Sequence, residues 1–189
     1  AEVDAFEHYG ARVEANRVTV INAYEGIDAD WSDSSTTITN SVFRHVRYPV
    51  YWDPDNWPGP SASTLTVKHS IFDGFSWGVE AYGGRMVVDS NTFLNGYQPI
   101  YLDGPRPIAV RGNQMASSPN GIEVYSYDST TTVTVADNVL SGVSSQGIYA
   151  DGYTYPDTLK TVFDVRGNAV TCDAAGAASG SAIELYNAH

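Results

Sequence analysis

One four-residue pattern of apolar and polar positions recurs seven times along the chain. It reads Ile27-Asp28-Ala29-Asp30, Val50-Tyr51-Trp52-Asp53, Val79-Glu80-Ala81-Tyr82, Ile100-Tyr101-Leu102-Asp103, Ile122-Glu123-Val124-Tyr125, Ile148-Tyr149-Ala150-Asp151 and Ile183-Glu184-Leu185-Tyr186. Gly26, Pro49, Gly78, Pro99, Gly121 and Gly147 stand immediately before the first six. Period-two alternation in short runs, broken by Gly, Pro, Asn and Asp, predicts short β-strands. No stretch sustains apolar residues at i, i+3 and i+4, so helices are at most minor.

A second unit lies upstream of each segment. Leu65-Thr66-Val67-Lys68-His69-Ser70-Ile71-Phe72 aligns with Met86-Val87-Val88-Asp89-Ser90-Asn91-Thr92-Phe93. Ile38 to Val50, Val67 to Val79, Val88 to Ile100 and Val110 to Ile122 are each twelve residues apart. Successive repeats are spaced loosely: Val67, Val88, Val110, Val135 and Val165 are separated by 21, 22, 25 and 30 residues. A constant half and a variable half predict stacked strands joined by loops of changing length. One such unit cannot bury its apolar side alone, so equivalent units must stack. About seven coils at strand spacing make a prism about 30 Å long.

The register predicts the interior. One stack holds Val20, Ile38, Val67, Val88, Val110, Val135 and Val165, and a second holds Phe43, Phe72, Phe93, Met115, Leu140 and Val170. A third holds the leading Ile or Val of each four-residue segment. Between the first two runs a polar column, Ser41, Ser70, Asn91, Asn113, Asn138 and Asn168. Buried amides need partners, so this column predicts a ladder with a structural role.

The motif apolar-x-apolar-x-x-Asn-x-apolar, followed by Gly-Ile-Tyr or Gly-Ile-Glu, resembles the right-handed parallel β-helix repeat of pectate-lyase-like proteins. The resemblance covers about residues 16–187 and implies an all-β solenoid, with 1–189 as one domain and 1–15 as an extra strand or end coil. That family includes polysaccharide lyases, glycoside hydrolases, epimerases, tailspikes and surface proteins, and a shared fold does not transfer activity. The Asn-Thr-Asp, Asp-Asp and Gly-His-Gly motifs of the pectin hydrolases are absent.

Second and fourth positions of each segment point outward. They spell Asp28, Tyr51, Glu80, Tyr101, Glu123, Tyr149, Glu184 and Asp30, Asp53, Tyr82, Asp103, Tyr125, Asp151, Tyr186. From Tyr51 onward, Tyr and acid alternate in both columns, in antiphase. One consequence is architectural, because tyrosines between carboxylates separate like charges. The other is chemical, because aromatic rings stack on sugars while carboxylates bond hydroxyls or a cation. Tyr51, Asp53, Trp57, Glu80, Tyr82, Tyr101, Asp103, Glu123, Tyr125, Tyr149 and Asp151 are therefore candidate glycan contacts. No catalytic residue stands out: carboxylate pairs are abundant, and the two columns hold no Lys or Arg. Lys68, His69, Arg85 and Arg106 are the nearest cations by sequence. Trp77, Tyr97, Tyr127, Tyr153 and Tyr155 are candidates for an aromatic rim.

Charge narrows the partners. With 10 Lys+Arg against 22 Asp+Glu, the net charge is −12. A chain so acidic has no basic patch for nucleic acid or an anionic membrane surface. No apolar run approaches the ~20 residues that span a bilayer. His8, His45 and His189 share no metal-ligand spacing; Asp28, Asp30, Asp53 and Asp55 are weak Ca²⁺ candidates, and no other cofactor is implied. A single cysteine, Cys172, excludes an internal disulfide. With a Tyr-, Ser- and Thr-rich acidic composition, the expectation is an extracellular or cell-surface protein.

Neither end reads as a capping helix, so the ends are expected to continue into further coils or to stack head to tail on other copies. The function expected is a structural β-helix with a glycan-facing side that assembles end to end into filaments. The alternative is a carbohydrate-active module, lyase or hydrolase, using the same face.

Overall fold

The structure is a computed structural model that describes residues 3–9, 12–30, 35–54, 63–127, 131–152, 161–173 and 180–187. Among the described residues every regular element is a strand, and all strand pairs are parallel. Three sheets form the walls of a solenoid. Sheet A stacks Phe6–Tyr9, Glu25–Asp30, Tyr48–Asp53, Trp77–Tyr82, Gln98–Gly104, Asn120–Ser126, Gln146–Gly152 and Ser181–Tyr186 in that order. Sheet B runs from Val13–Asn16 to Val162–Arg166, and sheet C from Thr19–Ile21 to Ala169–Cys172. Each coil visits A, B and C in turn.

The core lies between the walls and is made of the predicted stacks. Ile27, Val50, Val79, Ile100, Ile122 and Ile148 are in register in sheet A and buried. Phe43, Phe72 and Phe93 stack nearly parallel, with ring centroids 5.1 and 4.7 Å apart. Burying each such side chain contributes about 1.5–3 kcal/mol, which the short strands could not obtain singly. Trp52 is fully buried in this core.

One predicted position is corrected. Val20 pairs with Phe43 and heads the aromatic stack, whereas Ala15 pairs with Ile38 and heads the valine stack. The twelve-residue spacing itself places Ala15 opposite Ile27 in the first coil. A single small residue there makes a weak sequence signal.

The polar column is a continuous hydrogen-bonded ladder. The Oδ1 atoms of Asn113, Asn138 and Asn168 each accept from the backbone N and Nδ2 of the preceding rung: Asn91 donates to Asn113 at 3.0 and 3.1 Å, and Asn113 to Asn138 at 3.0 and 3.0 Å. The same Nδ2 atoms donate to strand carbonyls, Asn91 to Val67 and Asn113 to Val88, both at 2.9 Å. The ladder continues into serines: Ser70 N donates to Asn91 Oδ1, and Ser41 N donates to the Ser70 hydroxyl.

The residue before each rung makes the corner between sheets B and C. Arg17, Asn40, His69, Ser90 and Asp137, with Gly112 and Gly167, hold φ between 52° and 64°. A left-handed residue with a side chain costs about 1–2 kcal/mol. The bend is repaid by backbone bonds to the next coil, such as Asn40 N to Lys68 O at 3.1 Å. His69 is therefore a corner residue.

The glycines before the four-residue segments have a steric cause. A Cβ on Gly121 would lie 2.2 Å from Gly147 O and 2.3 Å from Leu140 Cδ2. The start of that sheet A strand packs directly on the stack beneath it.

Candidate functional site

The outer face of sheet A carries the two predicted columns in register. Asp28, Tyr51, Glu80, Tyr101, Glu123, Tyr149 and Glu184 are successive partners along one. Tyr82, Asp103, Tyr125, Asp151 and Tyr186 are successive partners along the other. From Tyr51 to Asp151 these side chains are half-buried, and Asp28 is buried.

Diagonal neighbours across adjacent strands lie within reach of aromatic side chains. Because the two columns alternate in antiphase, between each pair of adjacent strands from Tyr51 onward one diagonal joins two tyrosines and the other joins two acids. Ring centroids of Tyr51, Tyr82, Tyr101, Tyr125, Tyr149 and Tyr186 follow one another at 6.1, 5.8, 5.7, 5.6 and 5.5 Å. The rings tilt against one another by 39° to 59°, within the favourable range for aromatic pairs. The result is one zigzag ribbon of six rings along the solenoid axis. Trp77 adds an edge contact to Tyr101 at 5.4 Å.

The acids form the complementary zigzag, and hydroxyls tie the two together within strands. Tyr82 Oη donates to Glu80 Oε1 and Tyr125 Oη to Glu123 Oε1, each at 2.7 Å. Tyr186 donates to Glu184 at 2.9 Å and Tyr149 to Asp151 at 3.4 Å. The face therefore offers aromatic surface and spare carboxylate acceptors.

Partial burial dominates the electrostatics. It raises the Tyr101 phenol to about 12, helped by Asp103, Glu123 and Glu80. Burial, then the bond to Glu80, raises Tyr82, and burial, then the bond to Glu123, raises Tyr125. These phenols stay neutral at physiological pH. Burial also lifts the Glu80 carboxyl, partly offset by the bond from Tyr82. Asp103 is pushed up to about 6 by burial alone, and its Oδ1 is enclosed without a hydrogen-bond partner. Burial raises Tyr127 as well, with Asp103 and Asp53 adding to it. Tyr127 thus stands close to two acids of the face. Sequence order hid this, because Tyr127 lies beyond the end of its strand, outside both columns.

Other candidates fall elsewhere. Lys68 pairs with Asp89 at 3.5 Å on sheet B, and Arg85 is on that wall too. Trp57 and Asp55 lie outside the described residues, as do Tyr153 and Tyr155, and nothing is described of the Asp30 side chain. Among the described residues no group of three or more His, Cys, Asp or Glu side chains comes together to hold a metal. None of their helices is long and apolar enough to cross a membrane.

Three walls of stacked parallel strands, an internal polar ladder and one patterned outer face define a parallel β-helix. The family model for the right-handed β-helix region matches residues 5–170, and the chain belongs to that family. No curated protein and no solved structure matched the chain.

Proposed function

We propose that this chain is a structural β-helix of the cell exterior or surface whose sheet A face contacts an extended glycan. The observation that carries the reading is the unbroken ribbon of six tyrosine rings flanked by carboxylates. Tyrosine rings 5.5 to 6.1 Å apart offer apolar surface to successive sugars, and carboxylates accept from sugar hydroxyls. Affinity electrophoresis against a panel of neutral, acidic and amino polysaccharides tests it. At least one glycan retards the chain, and Tyr101→Ala with Tyr125→Ala weakens that binding by about tenfold, near 1.4 kcal/mol. Equal mobility on every glycan contradicts the reading.

The enclosed Asp103 favours a second reading, a glycoside hydrolase or lyase acting at the same face. A carboxyl raised to about 6 keeps its proton to higher pH than a free aspartate, so more of it can serve a leaving group as an acid. New reducing ends or unsaturated products, abolished by Asp103→Asn, would establish this reading. Their absence across the same panel would reject it.

A further inference from the structure

The tyrosine ribbon has a property that sugar stacking does not use. Six phenols run from Tyr51 to Tyr186 with no gap between successive centroids wider than 6.1 Å. Tyr82, Tyr125, Tyr149 and Tyr186 each donate a hydrogen bond to a carboxylate of their own strand. One-electron oxidation of a phenol releases its proton as well, because the phenol radical cation is a strong acid. A base already bonded to the hydroxyl takes that proton over a short distance, and rings in near contact exchange electrons quickly.

We propose that the ribbon is a radical relay. A one-electron oxidant, by class a high-valent metal or haem-type species, acts on one ladder tyrosine, and the oxidising equivalent then passes from ring to ring along sheet A. In the first step Tyr-OH gives one electron to the oxidant, which is reduced by one unit, and its proton to the bonded carboxylate. The phenol O–H bond breaks and a carboxyl O–H bond forms. In each hop the phenoxyl takes one electron from the next tyrosine and recovers the proton from its carboxyl. Tyr82, Tyr125, Tyr149 and Tyr186 pass their own protons to the carboxylates they are bonded to, whereas Tyr101 gives up only the electron, keeps its proton and is re-reduced by the following ring.

The bonds set the resting places. Tyr82 and Tyr125 have the shortest contacts, 2.7 Å, to Glu80 and Glu123. Burial makes Glu80 a better proton acceptor than a free carboxylate. Tyr101 lies between these two resting sites and makes no such bond. It is a transit point, where Asp103, Glu123 and Glu80 favour positive charge developing on its ring. The relay is independent of glycan binding.

The test uses the whole chain with a ruthenium polypyridyl photo-oxidant attached to Cys172, the only cysteine, in the last coil. Flash oxidation in the presence of a nitroxide radical trap, followed by peptide mass spectrometry, locates the adducts. The protein is diluted until adduct yield no longer depends on its concentration. Adducts appear at Tyr82 and Tyr125, far from the oxidant as well as near it. Tyr101→Phe keeps a ring but not an oxidisable phenol, and lowers the Tyr82 adduct by at least about tenfold while leaving Tyr149 and Tyr186 labelled. Tyr97→Phe, at an exposed tyrosine off the ribbon, changes nothing. If Tyr101→Phe does not fold by circular dichroism, Tyr125→Phe breaks the ribbon one ring further on. No Tyr82 adduct in the unaltered chain, or an equal one after the ribbon is broken, overturns the relay.

Discussion

Asp103 sits in a column of alternating tyrosines and acids, yet its surroundings set it apart. One carboxylate oxygen is enclosed with no donor, and burial lifts its titration from 3.8 to about 6. Folding therefore favours the neutral acid. That contribution is complete below the unfolded value and is lost as pH rises through about 6. Asp103→Asn keeps the shape and removes the titration. Its melting temperature, compared with the unaltered chain by scanning calorimetry, is nearly equal at about pH 4 and higher at about pH 7. A constant difference across that range contradicts the assignment. Period-two alternation made Asp103 legible as an outward acid. Its enclosure was not legible, because it depends on how neighbouring coils and Tyr127 close around it.

The sheet A strand and the asparagine corner are the two elements that the sequence displayed best. Both repeat a distinctive residue at fixed spacing, so stacking in register follows directly. The first coil was harder to read, because Ala15 and Val18 occupy positions that later coils fill with larger or polar residues. Val18 N meets Ser41 Oγ at 3.2 Å where an asparagine rung would stand. The left-handed corners were invisible for a different reason. Only Gly112 and Gly167 advertise them, while Arg17, Asn40, His69, Ser90 and Asp137 are forced into that conformation by the coil. The ladder's contribution is testable at one rung. Asn113→Ala leaves two Asn91 donors and the Val88 carbonyl without their partner, and costs about 3 kcal/mol in urea unfolding. Asn113→Ser, which copies the Ser41 and Ser70 rungs, costs less than half of that. Equal losses for the two variants would show that the side chain only fills space.

At the scale of the whole molecule, the first and last described strands of sheet A leave apolar side chains exposed. Phe6 is 53% exposed and Ile183 47%, while their sheet A equivalents Ile27 and Val50 are 1% and 0%. Leu185 is exposed beside Ile183. Such exposed apolar surfaces favour stacking of a further coil. We propose head-to-tail contact between copies, opposed by the net charge of −12. Static light scattering then shows mass rising with protein concentration, more steeply at high salt where that repulsion is screened, and Phe6→Asp or Leu185→Asp suppresses the rise. A 20.4 kDa particle at every concentration and salt contradicts it. The proposed glycan contact lies on the long face rather than at the ends. Hydroxyl-radical footprinting with and without a saturating bound glycan tests it most directly. Oxidation of Tyr82, Tyr101 and Tyr125 falls together on glycan binding, while that of Tyr97 is unchanged. Protection of Tyr97 with the ribbon left reactive would place the contact elsewhere and contradict it.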